Sequence, residues 1–307
     1  MLQKLNYDGS TWIDIKNPRQ KDVDFIAKKF PFIHETVLNE IIPPGHRAKV
    51  EKHKDYMFMI IYYPIFNPAH KTTQSRELDI IITKDHVITS HYKTLIPLKK
   101  IFDQVNLYKE KKEEILREGA GALLHHIVIG MLDSAFNKLD IIEKNIDEIE
   151  NAIFEGKEKE MVQEISLTKR DIINFRRILA PQQSVFESLY KEGVGFFGEQ
   201  VIPYLEDILG YFSRLWNFVE DQRETMQALN ETNDSLLNAK INEIIKVLTL
   251  FSVIVFPLTL LSSIWGMNTG YLPFLSIAAP WDFIFVMGVM IMLSIIMLLF
   301  FKKKKWL

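Results

Sequence analysis

The chain has 307 residues, 48% of them apolar and 25% charged, a balance that suits folded material and leaves room for about two domains beside any membrane segment. It contains no cysteine, so disulfides and thiolate metal sites are excluded. Its net charge is −2; without lysines 302–305 and Asp282 there remain 33 basic and 38 acidic residues, which argues against nucleic acid as a partner. A mild acidic excess suits a domain that meets cations, but it suits an ordinary soluble surface better.

Helical spacing runs from Asp22 to Phe30, a short helix is expected around Glu35 to Ile41, and Pro43-Pro44-Gly45 punctuates the segment after it. Tyr56 to Tyr63, Leu78 to Thr83 and His86 to Tyr92 are rich in β-branched and aromatic residues and read as strands. The last two are joined by a tight hairpin at Lys84-Asp85. Residues 1–120 therefore read as a mixed α/β domain.

From about Gly121 the pattern changes to long helices. Leu139, Ile142, Ile146, Ile149 and Ile153 step by three and four residues as a coiled-coil-like seam. A second helix is expected from Lys157 to Leu179, and glycines 193, 195 and 198 then read as a break. Pro203 suits the first turn of a third helix, where its missing N–H is not needed. Along that helix Ile208, Phe212, Leu215, Val219, Gln222, Met226, Leu229, Asn233 and Leu236 keep four-three spacing. Gln222 and Asn233 either set register in an oligomer or face water where the seam widens. A helix from Pro203 to Trp265 would extend roughly 95 Å, so residues 121–246 read as a stalk continuous with the membrane segment.

Residues 247–307 read as a membrane hairpin, with spans at about 247–267 and 282–301. A bilayer core of roughly 30 Å needs about 20 apolar helical residues, and Val247 to Trp265 and Phe283 to Phe301 supply nineteen each. Trp265, Tyr271 and Trp281 bracket the loop and Trp306 marks the opposite interface. Lys302, Lys303, Lys304 and Lys305 favour a cytoplasmic C-terminus, whereas the loop from Thr269 to Trp281 has no Lys or Arg. Two spans return the chain to its starting side, so the first 246 residues are expected in the cytoplasm, consistent with the lack of an N-terminal apolar segment. No mitochondrial transit peptide is visible, which favours a prokaryotic plasma membrane.

Gly266-Met267-Asn268 sits where the first span ends and the short loop begins. Together with Asn242-Glu243-Ile244-Ile245-Lys246-Val247-Leu248-Thr249, Pro257-Leu258-Thr259, the lysine-rich terminus and weaker likeness through Leu38 to Glu51 and Ile82-Thr83-Lys84, it resembles the CorA family of magnesium channels. The resemblance implies a funnel-shaped homopentamer: cytoplasmic α/β domains, long stalk helices, an inner ring of first spans around a pore and an outer ring of second spans. It implies influx of Mg²⁺, with Co²⁺ and Ni²⁺ as further candidates, under control of intracellular Mg²⁺. The partners so implied are metal ions, membrane lipid and further copies of the chain.

With the first span as a pore lining, Asn242, Ile245, Leu248, Ser252, Phe256, Thr259 and Ser263 share one helix face. None is ionisable, which suits passage of a hydrated or partly hydrated Mg²⁺ better than capture of a bare one. Asn242, Thr259 and Asn268 offer neutral oxygens to the ion's waters, and Ile245, Leu248 and Phe256 form constrictions able to gate by dewetting. For each apolar residue, simple packing or lipid contact is an equal alternative on periodicity alone. Gly266 lets the helix end and Asn268 can aim its amide oxygen at the water shell of an incoming ion.

The family's outer loop often carries Met-Pro-Glu-Leu, and here the matching stretch is Leu272-Pro273-Phe274-Leu275. The missing acid predicts slower capture of dications. The resemblance also assigns Glu40 and Asp207 to a regulatory Mg²⁺ site between neighbouring subunits, with Asn39 replacing an acidic neighbour. The lysine cluster reads either as a basic ring at the cytoplasmic pore end or as a topology signal and headgroup anchor, and the second alone explains it. His125-His126 are adjacent and do not face a common metal. No phosphate loop, nucleophile elbow or cofactor fingerprint is present, so the chain does not read as an enzyme. Two rivals stand beside the magnesium channel: a zinc-moving member of the same superfamily, which Met267 disfavours because isoleucine is common there, and a membrane-anchored coiled-coil scaffold, which has no need of the polar stripe Asn242, Ser252, Thr259 and Ser263.

Overall fold

A computed structural model describes residues 2–42, 45–67, 72–267, 281–304 and 306, without the side chains of residues 281 and 282. The chain divides into two compact units, Met1–Glu231 and Thr232–Leu307.

The first unit is built on a six-stranded sheet. Its strands are β1 (Leu2–Tyr7), β2 (Ser10–Lys16), β3 (Lys49–Lys52), β4 (Met57–Asn67), β5 (Thr72–Ile82) and β6 (His86–His91), in spatial order β1-β2-β6-β5-β4-β3. Every pairing is antiparallel except β2 with β6. The crossover between those two passes through α1 (Gln20–Lys29), α2 (Glu35–Glu40) and the intervening hairpins. The three expected strands and the hairpin at Lys84-Asp85 are present. Strands β1 and β3 were not foreseen, because Lys49–Lys52 holds one apolar residue and the three of Leu2–Tyr7 do not keep strict alternation; each exists through its neighbour's ladder. Strand β2 is buried along almost its whole length, Asp14 included, so it lacks the alternation that marks a half-exposed strand. Pro64 is tolerated in β4 because β3 pairs only with Met57 to Ile60, leaving β4 an edge beyond that point.

Pleat alternation sends Ile13, Ile15, Phe58, Ile60, Ile81 and Ile88 to the face covered by α1 and α2, where Val23, Ile26, Val37 and Leu38 meet them. Trp12 faces the other way, edge-on to Phe102 at 4.9 Å in α3 (Ile96–Leu107), with its indole donating to Thr89 Oγ1 at 3.0 Å. A short α4 (Lys109–Leu116) follows.

The seam Leu139, Ile142, Ile146, Ile149 and Ile153 is buried along α5 (Ala120–Phe154). Leu123, Leu124, Ile127 and Val128, near the start of the same helix, are fully buried. Gly156, at φ +88°, turns the chain into α6 (Glu158–Leu179). The expected three-glycine break is corrected: α7 (Gln182–Phe197) runs straight through Gly193 and Gly195 and stops only at Gly198, at φ +89°. Gly193 serves close packing instead, since a Cβ there would lie 2.7 Å from Leu205 Cδ1.

Helix α8 runs unbroken from Ile202 to Trp265, 64 residues. Ile208, Phe212, Leu215, Val219, Met226 and Leu229 are buried along it, as are Gln222 and Asn233, while Leu236 is half-buried. Gln222 therefore does not face water: its Nε2 donates to the Leu139 carbonyl of α5 at 3.0 Å, fixing register inside one chain.

In the second unit, α8 continues to Trp265 and α9 spans Trp281–Lys303. Both are long and apolar enough to cross a membrane, with 6% and 0% of their most apolar windows buried inside the protein. Helices this apolar and this bare need lipid or further protein around them.

Candidate functional site

The residues assigned to the ion path fall on one side of α8. Leu250, Ile254, Leu258, Leu261 and Trp265 are buried or half-buried and step by four and three. At 100° per residue, the arc holding Asn242, Ile245, Leu248, Ser252, Phe256, Thr259 and Ser263 is centred about 180° around the helix from them. Ile245, Leu248 and Phe256 are 53%, 63% and 71% exposed; Asn242, Thr259 and Ser263 are also exposed, and Ser252 is half-buried. Helix α9 carries its own half-buried stripe, Val286, Met290, Leu293 and Met297, ending at buried Phe301.

The hydroxyls on this path are not idle. Ser252 Oγ donates to the Leu248 carbonyl at 2.9 Å and Thr259 Oγ1 to that of Val255 at 3.0 Å. Each proton is thus held by the helix, while the oxygen lone pairs stay free to accept further hydrogen bonds. Pro257 lies inside the same stretch of α8; it has no N–H to give the Val253 carbonyl, so one more backbone oxygen is freed.

At the end of the helix, Gly266 N–H donates to Ser262 O at 2.9 Å and Met267 N–H to Ile264 O at 3.3 Å, a tightened last turn. A Cβ on Gly266 would lie 3.1 Å from the Ser262 carbonyl, which explains a glycine there. Met267 is 55% exposed. Asn268 and the loop carrying Leu272 to Leu275 lie outside the described residues. Lys302, Lys303 and Lys304 are exposed at the end of α9, and Lys305 also lies outside. The Phe301 ring stacks on Trp306 at 6.0 Å.

The two acids assigned to regulation belong to the first unit. Glu40 ends α2, and its Oε2 lies 2.7 Å from Lys49 Nζ, which also binds Glu51 Oε1 at 2.7 Å. Asp207, with a side chain 52% exposed, holds His125 Nε2 at 2.7 Å from its Oδ2. Each carboxylate thus has its own partner within the chain. Among the described residues, no group of three or more His, Asp or Glu is placed to hold a metal. Sequence reasoning set His125 aside because its neighbour His126 lies on another face; nothing in the spacing shows that α8 brings an acid to it. Burial, then the adjacent His125, push the His126 imidazole down.

A family model described as CorA-like Mg2+ transporter protein matches residues 7–303. The chain is 30% identical over 298 residues to the cobalt/magnesium transport protein CorA of Thermotoga maritima, covering 97% of this chain and 83% of that one. It is 21% identical over 277 residues to the zinc transport protein ZntB of Yersinia pestis, covering 90% and 82%. Its fold is similar to that of the complete CorA magnesium transporter from Methanocaldococcus jannaschii, with a TM-score of 0.83 at 23% identity over 100% of this chain and 95% of that one. The chain belongs to the CorA-like Mg²⁺ transporter family.

Proposed function

We propose that the protein is a homopentameric channel that admits Mg²⁺ down its electrochemical gradient and closes when intracellular Mg²⁺ is high, with Co²⁺ and Ni²⁺ as further permeant ions. The observation that carries this reading is the bare stripe from Asn242 to Ser263, uncharged and opposite the half-buried face of the same helix. A scaffold anchor would have no use for it, because polar groups within a span require water or protein around them. Around a fivefold axis the stripe lines a pore in which Asn242, Thr259 and Ser263 address the ion's hydration shell and Ile245, Leu248 and Phe256 form the constrictions.

The α/β domain and stalk lie on the cytoplasmic side with both termini, the membrane being the plasma membrane, and Lys302 to Lys305 hold the second span's end at that surface. Gly266, Met267 and Asn268 form the outer entrance. Asp207 fits a regulatory dication, since its carboxylate is a hard oxygen donor half open to solvent. Glu40 joins the site only by sharing its carboxylate with Lys49. A dication bridging subunits there would hold the stalk helices in the closed arrangement, and its loss would free them.

The test is ion uptake into liposomes containing the purified protein, beside an Asn268→Ala variant and with Co²⁺ and Zn²⁺ as competitors. Mg²⁺ uptake lost in the variant is the expected result. Zinc flux without magnesium flux would move the protein to the zinc branch, which the absence of an acid in Leu272 to Leu275 leaves room for. No flux of either would return the scaffold.

A further inference from the structure

Asp79 is 1% exposed within β5, and neither carboxylate oxygen has a hydrogen-bond partner. Its ladder neighbours, Ser90 on β6 and Ile60 on β4, offer no charge. Two residues earlier on the same face stands Glu77, 7% exposed. Its Oε1 accepts from the His46 N–H at 3.2 Å, and its Oε2 lies 3.0 Å from the Tyr62 hydroxyl. That hydroxyl also contacts the His46 carbonyl, so its one proton serves two acceptors. The backbone closes over Glu77 at Gly45, where a Cβ would collide with Glu77 Oε2.

Two buried carboxyl groups thus meet with too few donors. The remaining charged or titratable groups facing them do not correct this. Glu40, from α2, adds negative charge and is itself held by Lys49 of β3, whose ammonium is divided between Glu40 and Glu51. The ring of His46 lies 4.0 Å from Glu77 Oε1, and its Nδ1 is unpartnered. The Tyr92 hydroxyl, just beyond β6, is also unpartnered. His91 and Asp14 pair with each other on the opposite face of the sheet. Two like charges on neighbouring same-face positions of one strand, away from water, cannot both persist. Burial first, then the neighbouring Glu77 carboxylate, push the Asp79 carboxyl well above the usual carboxylate range.

We propose that Glu77 and Asp79 form a buried proton-binding site that holds one shared proton at neutral pH and releases it as the pH rises, beside the Gly45–His46 segment that leads into β3. The missing donor is then a carboxylic O–H. Loss of the proton places a second charge against Glu77 and loosens its grip on the Gly45 and His46 backbone. A carboxyl whose folded pKa lies above its unfolded one favours the folded state most at low pH, and that advantage is lost as pH rises from the ordinary carboxylate range through the raised value.

The experiment is thermal unfolding of the full chain in detergent with EDTA, from about pH 5 to about pH 9, for the natural protein, Asp79→Asn and Glu77→Gln. An amide supplies the missing donor without a charge, so each variant should give a flatter Tm profile and a Tm about 3 °C higher at the alkaline end. Infrared spectra near neutral pH should show the carbonyl stretch of a protonated carboxylic acid, absent in Asp79→Asn; this band and Glu77→Gln decide the matter if Asp79→Asn does not fold. Parallel Tm profiles, or no such band in the natural protein, would overturn the proposal. So would a Mg²⁺-dependent rise in Tm that Asp79→Asn abolishes, since the pair would then hold a cation instead of a proton.

Discussion

The Nε2 atom of His125 lies 2.7 Å from Oδ2 of Asp207, tying α5 to α8 across 82 residues of sequence. The imidazole occupies the carboxylate that the family resemblance assigns to a regulatory dication, so the two compete for one oxygen. Removing the ring in His125→Ala should free Asp207 and lower the half-inhibitory Mg²⁺ concentration about 3- to 10-fold, the equivalent of one half-exposed hydrogen bond worth about 1 kcal/mol. Asp207→Lys should do the opposite and relieve inhibition. Flux into liposomes loaded with graded Mg²⁺ measures both, and unchanged inhibition in Asp207→Lys would remove this residue from the mechanism.

Leu248 tests whether the bare stripe gates by dewetting. Leu248→Asn would wet the proposed constriction and should raise the residual flux at inhibitory Mg²⁺ about tenfold, because an apolar ring excludes water whereas an amide ring does not. The same substitution at Leu258, on the half-buried face, should lower protein yield without opening the pore.

Gln222 is buried with its Nε2 on the Leu139 carbonyl and its Oε1 unpartnered. Gln222→Glu would place an unpaired charge in the seam and should cost about 3 kcal/mol. Gln222→Met fills the same volume, removes the unpartnered oxygen and should change stability by less than about 1.5 kcal/mol. Thermal unfolding of the detergent-solubilised protein distinguishes them.

Lys138 donates to the Pro64 carbonyl at 3.1 Å with its ammonium 5.8 Å from the centre of the Tyr63 ring. Burial pushes it down to about 8, although Asp171 opposes this. Below that pH the folded protein carries the full cost of the buried ammonium, and the cost is relieved as pH rises from about 8 towards the ordinary 10.5. Lys138→Met should therefore stabilise the protein by about 1 kcal/mol at neutral pH, allowing for partial exposure. It should also flatten the rise in Tm between pH 8 and pH 10, as a pH series of melting curves would show.

What was legible in the sequence followed from periodicity in the helices and from composition in the strands. The seam residues of α5 and α8 announce themselves because burial on one side forces a 3.6 repeat, whereas the strands at Met57 and Leu78, buried on both faces, show only as short β-branched and aromatic runs on either side of turn residues. Strand β3 could not be read, because Lys49–Lys52 is a strand only by virtue of its neighbour β4. The glycines at 193 and 195 misled for a related reason: Gly193 is small to admit Leu205, a requirement set by a residue further along the chain.

The ion path and the acids divide in the same way. The two apolar runs, the uncharged stripe from Asn242 to Ser263 and the lysine cluster are properties of contiguous sequence, since bilayer thickness and helix pitch act on neighbours. Which partner holds each acid was decided by tertiary structure alone. His125 on Asp207, Lys49 on Glu40, and the crowding of Asp79 against Glu77 beneath Gly45 all depend on side chains brought together by sheet and helix packing. Charge couples through space, and no spacing along the chain encodes that distance.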